Sequence, residues 1–167
     1  MVKQNASLDA SFWINCCAGG IVEFAALYFH LYVTTPVVQE IRYPATNLGM
    51  MPYSVTVFDS WMADGRIVLR DPESSVDWFQ AGENAAIGLA IEKGYWLLID
   101  DANAFHRAKH FGLRVVGTPD FAIFLYDQAQ ITREQAQAVL KAIRVSKRQR
   151  RQALALLEVL VRRKTEG

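Results

Sequence analysis

Apolar and polar positions along the chain form blocks that predict strands and helices in alternation. The clearest strand pattern is 95–99, five bulky uncharged residues followed by two adjacent acids, Asp100 and Asp101. A short apolar run with such sharp boundaries is typical of a buried strand in a parallel sheet. Residues 83–93 and 102–111 have helical patterns, and a glycine follows each of them. The region therefore predicts a helix, a strand and a helix, with carboxylates at the carboxyl end of the strand.

The amino-terminal part repeats this arrangement of a strand, an acid and a helix. Residues 6–8 predict a short strand that ends at Asp9, and a helix follows from Ser11. A second acid thus lies at a predicted junction between a strand and a helix. Residues 21–32 are apolar on nearly every side, which predicts a helix buried in the core or in a subunit interface.

The next strand and helix are predicted with an acid on the helix. Residues 32–34 read as a second strand, and 37–42 as a helix that carries Glu40. Thr35 supplies a helix cap, and Pro36 suits the first helical turn.

The segment from 43 to 80 has the weakest pattern. Residues 43–60 are predicted as loop because they contain four turn-forming residues: Pro44, Asn47, Gly49 and Pro52. Within and after this loop, 54–58 and 66–69 are candidate strands. Residues 71–79 predict a short helix that begins at an Asp-Pro pair.

One further strand, at 113–116, completes the predicted sheet. Thr118 as a cap and Pro119 at the first helical position explain the residues after it without any chemistry. The alternation of strands and helices from Asp9 onward predicts an α/β fold with a mainly parallel sheet.

Two helices are predicted near the carboxyl terminus, at 133–145 and 147–163. Each begins with the pattern of a capping box, at Thr132 and at Ser146. The second helix places four apolar residues on one face, which needs a partner surface: Leu154, Leu157, Leu160 and Val161. Its first turns carry four basic residues, although positive charge at a helix N-terminus opposes the macrodipole: Lys147, Arg148, Arg150 and Arg151.

Composition narrows the class of protein. The 167 residues are 51% hydrophobic, which suits one folded globular chain with a sizeable core. The net charge of +1 gives no indication of nucleic acid by itself. Adjacent cysteines, Cys16 and Cys17, predict reduced thiols and a cytoplasmic location. No secretory signal is expected, because Asp9 interrupts any early apolar region. No membrane span is expected, because polar residues interrupt the apolar stretch 12–33.

Acids recur at predicted strand ends and on the helices that follow loops: Asp9, Glu40, Glu83, Asp100 and Asp101. In a parallel sheet these elements meet at one edge, where clustered carboxylates repel one another unless a cation neutralises them. Oxygen ligands without cysteine and with few histidines select Mg²⁺ or Mn²⁺. Such an ion activates water and stabilises the phosphate in phosphodiester hydrolysis. The alternative is that these acids are unrelated helix caps and surface charges.

Five segments, in this order and spacing, resemble the PIN-domain family, particularly its small prokaryotic PIN-like branch: 8–14, 35–41, 81–90, 97–101 and 112–118. The resemblance implies a three-layer α/β/α PIN-like fold with a mainly parallel five-stranded sheet. It places the PIN-like domain at 1–128 and a C-terminal helical extension at 129–167. It also implies ribonuclease activity on single-stranded RNA that requires Mg²⁺ or Mn²⁺.

The resemblance also assigns roles to the acids. Asp9, Glu40 and Asp101 match the acidic positions of the family most directly, and Glu83 stands where many members have Asp. These four are the expected catalytic residues and metal ligands. Asp100 is expected as an auxiliary ligand, although the commoner family pattern has a neutral residue at its position.

Two functions from different classes follow. The first is a ribonuclease that cleaves single-stranded RNA with a metal-activated water, as the toxin of a toxin–antitoxin pair with a protein antitoxin as partner. The second is a non-catalytic PIN-like module that binds nucleic acid or assembles with other proteins. A homodimer is expected in addition.

RNA contacts are assigned to Ser11 and to a basic group: Lys147, Arg148, Arg150 and Arg151. An acidic site repels RNA, so positive charge nearby would hold the substrate. The alternative is that the basic group is a solvated helix start.

Overall fold

The fold is built on five parallel strands. The computed structural model describes residues 2–48 and 52–166. The strands are β1 Gln4–Leu8, β2 Phe29–Val33, β3 Ile67–Leu69, β4 Trp96–Leu98 and β5 Val115–Val116. They pair in the order β3-β2-β1-β4-β5, and every pair is parallel. The predicted five-stranded parallel sheet is therefore confirmed.

Helices cover both faces of the sheet. They are α1 Ala10–Ala18, α2 Val22–Tyr28, α3 Thr35–Leu48, α4 Tyr53–Ala63, α5 Ala81–Lys93, α6 Ala102–His110, α7 Thr118–Asp127, α8 Arg133–Ala142 and α9 Lys147–Glu166. Ser7 in β1 donates its hydroxyl hydrogen to the carbonyl oxygen of Ala86 in α5 at 2.8 Å, so α5 lies on one face. On the other face, the Phe29 ring of β2 lies 6.0 Å from the Phe121 ring of α7. The predicted three-layer α/β/α fold is confirmed.

The strand order reverses between β1 and β4. The chain passes from β1 outward to β2 and β3, and then crosses back to β4 on the other side of β1. The backbone N–H of Asp9, directly after β1, donates to the carbonyl oxygen of Leu98 in β4 at 2.9 Å. Ligands in open α/β sheets bind at the carboxyl ends of the strands where the order reverses. Both predicted acidic junctions of the central strands lie there.

The prediction of a strand at 54–58 is wrong, because these residues form part of α4. β-Branched residues dominate the segment and favour a strand locally. Val55, Phe58 and Trp61 are nevertheless all buried, and their spacing places them on one helical face. Packing of that face into the core outweighs the local preference.

The predicted loop at 43–60 is also mostly wrong. Helix α3 continues past Pro44 to Leu48, and α4 begins at Tyr53. Gly49, which contributed to that prediction, lies outside the described residues. The strand predicted at 66–69 is confirmed as β3.

The helix predicted at 71–79 is absent, since the whole of this described segment is irregular. The side-chain oxygen of Asn84 accepts hydrogen bonds from the backbone N–H groups of Trp78 at 3.0 Å and Phe79 at 2.8 Å. The segment also crosses α5 closely, because a Cβ at Gly88 would lie 2.8 Å from the carbonyl oxygen of Ser74. Contacts with α5 therefore replace internal helical hydrogen bonds.

The single apolar helix predicted at 21–32 divides into α2 and β2. A stretch that is apolar on every side has no period, so it does not locate the boundary between a helix and a strand. Phe29–Val33 pairs with β1, and the second strand therefore begins before the predicted 32–34.

The C-terminal helices form as predicted in outline. Both capping boxes are present, with Gln135 accepting from the backbone N–H of Thr132 and Gln149 from that of Ser146. Helix α8 ends earlier than the predicted residue 145, at Ala142. Leu157 of α9 is completely buried against α7 and α8, which supply the partner surface that its apolar face needs. No helix in the described ranges is both long and apolar enough to cross a membrane.

Candidate active site

Asp9 is the buried acid at the centre of the candidate site. It caps α1, and its Oδ2 accepts hydrogen bonds from the Ser11 N–H at 3.0 Å and the Ser11 hydroxyl at 2.5 Å. Its Oδ1 is buried and has no hydrogen-bond partner among the residues described. Burial raises the pKa of Asp9 from 3.8 to about 6, and repulsion by Glu40 contributes to the rise. A buried oxygen without a partner is unusual in a folded protein and suits a ligand.

Ser11 joins the ends of the two central strands. Its hydroxyl donates to Asp9 and accepts a hydrogen bond from the backbone N–H of Asp100 at 2.9 Å. One hydroxyl therefore fixes the orientation of the Asp9 carboxylate relative to the end of β4. The RNA contact predicted for Ser11 stays a prediction, and these two intramolecular bonds are its observed role.

Asp100 is also buried, but its oxygens are occupied. Oδ2 accepts from Asn15 Nδ2 at 2.7 Å and from the Thr118 hydroxyl at 2.5 Å, and Oδ1 accepts from the Thr118 N–H at 2.6 Å. Burial raises the pKa of Asp100, while the bonds from Thr118 and Asn15 act in the opposite direction. Asp100 thus holds the end of β4 to α1 and α7, and its role as an auxiliary metal ligand stays a prediction.

Asn15 and Thr118 are important residues that the sequence analysis missed. Asn15 also pairs with both backbone groups of Arg144, accepting from its N–H at 2.8 Å and donating to its carbonyl oxygen at 3.1 Å. Thr118 is not the helix cap that was predicted, since Gly117 caps α7 and Thr118 is its first residue. A single Asn inside the apolar run of α1 is the sequence signal that could have identified Asn15.

Glu40 and Glu83 face the site from α3 and α5. Partial burial raises the pKa of Glu40, and repulsion by Glu83 raises it further. Partial burial likewise raises the pKa of Glu83, with added repulsion from Asp9 and Asp101. A Cβ at Gly82 would collide with Oε2 of Glu40, so the glycine lets that carboxylate approach the first turn of α5. The four acids predicted as catalytic therefore interact electrostatically in one place.

Asp101 is exposed and caps α6, as the alternative reading of the sequence proposed. Its Oδ1 accepts a hydrogen bond from the backbone N–H of Ala104 at 2.9 Å. Capping uses only this oxygen, so the capping role is compatible with a ligand at Oδ2.

The carboxylate and hydroxyl oxygens of the site suit a hard divalent cation, but they do not form a complete coordination shell. Within 2–48 and 52–166, no three Asp, Glu, His or Cys side chains are arranged as a ready-made metal site. The Thr34 hydroxyl, directly after β2, is buried without a hydrogen-bond partner in these ranges, as is Oδ1 of Asp9 after the adjacent β1. Repelling carboxylates beside unpartnered oxygens fit Mg²⁺ or Mn²⁺ in chemical type.

The predicted basic group divides into two environments. The Arg150 guanidinium donates to the carbonyl oxygens of Leu140 and Ile143, each at 2.8 Å, and so completes the end of α8. Lys147, Arg148 and Arg151 are exposed at the start of α9. Arg150 thus has a structural role that residue spacing did not reveal, and RNA binding by the group stays a prediction.

A parallel sheet between two layers of helices, with interacting acids where the strand order reverses, is typical of α/β proteins with a nuclease-like fold. A family model described as PIN domain matches residues 9–164. The chain therefore belongs to the PIN-domain family, which confirms the resemblance found in the sequence. PIN domains generally depend on a divalent metal, in agreement with the type of donors assembled here.

A solved structure is also similar, a PilT N-terminus domain protein from the hyperthermophilic archaeon Sulfolobus solfataricus. The identity is 18% over 68% of this chain and 86% of that chain, with a TM-score of 0.44. No curated protein sequence matches the chain.

Proposed function

We propose that the protein is a metal-dependent ribonuclease that cleaves single-stranded RNA. The observation that carries the proposal is Asp9, a buried carboxylate with one unpartnered oxygen at the strand-order reversal. Its neighbours Glu40 and Glu83 add negative charge that a divalent cation relieves. A purely structural acid has its oxygens satisfied by donors, as Asp100 does.

Each acid has a role in the proposed site. Asp9 and Asp101, at the two central strand ends, and Glu40 and Glu83, on the flanking helices, would hold Mg²⁺ or Mn²⁺. When bound, the ion supplies neutralisation of the phosphate charge and a water of lowered pKa. Ser11 occupies Oδ2 of Asp9, so Oδ1 is the oxygen left for a ligand.

The test is cleavage of single-stranded RNA by purified protein with Mn²⁺. Asp9→Asn and Asp101→Asn together are expected to lower the cleavage rate by about 10²-fold or more, because charge stabilisation at the phosphate is lost. Asp127→Asn is the matched control, since it removes an exposed acid from the last position of α7, at the opposite end of that helix from the strand ends. Cleavage that survives the double substitution would identify a contaminating nuclease and reject the proposal.

In the cell, we propose that this activity makes the protein the toxin of a toxin–antitoxin pair, acting in the cytoplasm as a homodimer and bound by a protein antitoxin. The nuclease-like fold of the family is compatible with this role, and α9 leaves Val159 exposed by 46% for a protein partner. Induced expression should stop growth, while expression of Asp9→Asn to the same level should not. Equal growth arrest by both proteins would contradict a toxic nuclease.

A non-catalytic RNA-binding module is the second candidate. It is favoured by the lack of a ready-made metal site among the described residues. This function predicts that the protein binds RNA in EDTA. Adding Mn²⁺ should neither strengthen the binding nor cause cleavage. RNA cleavage that depends on Asp9 excludes it.

A further inference from the structure

A cleft runs from the acidic site along the start of α9. Beside Asp100 and Asp101 is a shallow cavity of about 460 Å³, which Arg144 also lines. A second cavity of about 370 Å³ lies between the starts of α6, α7 and α9. Three residues line both cavities and make them one cleft: Ala102, Ser146 and Gln149. We call the second cavity the base cleft.

The guanidinium groups of two arginines in the cleft have no partner among the described residues. Arg144 lines the cavity beside the acids, and Arg148 lines the base cleft. Neither guanidinium forms a hydrogen bond or an ion pair with any residue that the structure describes. Arg148 also lies in the first turn of α9, where its charge opposes the macrodipole. Backbone phosphates of a strand in the cleft would supply the missing partners.

The walls of the base cleft are apolar and partly aromatic. They are formed by side chains from all three helices: Phe105, Pro119, Ile123 and Leu156. Unpaired bases of RNA stack on such surfaces, because each base has a flat apolar face. Inorganic phosphate gains nothing from these walls, so they favour a nucleotide over a free anion.

The rim of the base cleft carries polar groups that suit the edge of a base: Asn103, His106, Asp120 and Gln152. Asp120 uses Oδ2 to accept from the backbone N–H of Gly117 at 3.4 Å, and its Oδ1 has no partner in the described residues. A carboxylate accepts hydrogen bonds but does not donate them. It therefore favours the amino group that cytosine has at C4 over the carbonyl oxygen that uracil has at the same position.

We propose that the base cleft binds one nucleotide of the RNA beside the acidic site, and that Asp120 selects a base that carries an amino group. This inference rests on the proposed function, since it takes RNA as the ligand. Cytosine and uracil give the sharpest comparison, because they have the same ring size and differ only at C4, with an amino group or a carbonyl oxygen, and at N3, which carries a hydrogen in uracil alone.

The first experiment measures binding of fluorescein-labelled octacytidylate and octauridylate by fluorescence anisotropy. The protein carries Asp9→Asn and the buffer contains EDTA, so that no RNA is cleaved. The cytidine strand is expected to bind about fivefold more tightly, as one net hydrogen bond allows. Asp120→Asn should remove the preference, because an amide both donates and accepts. Asp127→Asn, an exposed acid of the same helix outside the cleft, should retain it.

The second experiment compares two arginines of α9. Arg148→Gln should weaken binding of both strands equally and reduce the slope of log affinity against log salt by about 0.7. Arg151 is the matched control, because it is exposed on the same helix and lines neither cavity. Circular dichroism and a thermal melt of each variant show that the fold is retained.

Each outcome has one meaning. Equal affinity for the two strands in the Asp9→Asn protein overturns the base preference, as does a preference that Asp120→Asn leaves unchanged. Equal losses from Arg148→Gln and Arg151→Gln overturn the assignment of the cleft. A cytidine preference in a protein that never cleaves RNA supports this inference and rejects only the proposed function. Cleavage of RNA without any base preference supports the proposed function and rejects this inference.

Discussion

Replacing Asp9 by asparagine is expected to raise the free energy of unfolding of the metal-free protein by up to about 3 kcal/mol at pH 7.5. The pKa of Asp9 is 3.8 in the reference state and about 6 in the folded protein. That difference corresponds to about 3 kcal/mol spent on keeping the buried carboxylate charged. Asn keeps an oxygen for the two Ser11 donors and carries no charge, so this cost disappears.

The sign of the pH dependence follows from proton binding. Between pH 3.8 and about 6 the folded protein holds more protons on Asp9 than the unfolded chain does. The contribution of Asp9 protonation to the free energy of unfolding is therefore fully present below pH 3.8 and is lost as the pH rises through about 6. Asp9→Asn should remove this loss, so the two proteins converge at acidic pH and differ most above neutrality.

Urea denaturation at several pH values measures the effect, and Asp77→Asn is the control for loss of an exposed acid. Adding Mn²⁺ should reverse the ranking at pH 7.5, because the ion stabilises the native protein and not the variant. The rise in the melting temperature with Mn²⁺ should also be larger at pH 7.5 than at pH 5, where protons compete for the carboxylates. A variant that is less stable than the native protein at pH 7.5 without metal would contradict a net cost of the Asp9 charge.

Sequence alone locates the central acids because their signals are local. The apolar run at 95–99 has a glycine before it and acids after it, so its end is defined by neighbouring residues. The same reasoning locates the end of β1 at Asp9. Parallel pairing then brings both ends to one edge of the sheet, whatever the details of packing. The fold and the place of the candidate site were predictable for this reason.

The errors arise where distant contacts decide the structure. Helix α4 forms because Val55, Phe58 and Trp61 enter the core, although its β-branched residues favour a strand. The assignment of Arg150 to RNA stays a prediction, but its bonds to the end of α8 could not be predicted from the spacing of charges. Asn15 forms hydrogen bonds with residues that are 85 and 129 positions away in the sequence, and no local sequence pattern predicts such partners.

Asn15→Ala is expected to lower the free energy of unfolding by about 3 kcal/mol at pH 7.5. The substitution removes three hydrogen bonds, one to Asp100 and two to the backbone of Arg144. Each is worth about 1 kcal/mol net, and the groups left without partners add to the cost. Asn103→Ala, which removes an exposed amide from α6, should change stability by less than about 0.5 kcal/mol.

The pH dependence of this loss in stability distinguishes a hydrogen bond to the charged Asp100 from a general packing effect. The Asn15 amide lowers the pKa of Asp100, whereas burial raises it, so the amide favours the charged carboxylate. Its loss should raise the folded-state pKa of Asp100 further and reduce stability more at pH 7.5 than at acidic pH, where the carboxyl is protonated in both proteins. Chemical denaturation of Asn15→Ala, of Asp100→Ala and of the double variant at both pH values measures the coupling. A loss that is equal at the two pH values would mean that Asn15 acts through α8 and α9, and that Asp100 does not depend on it.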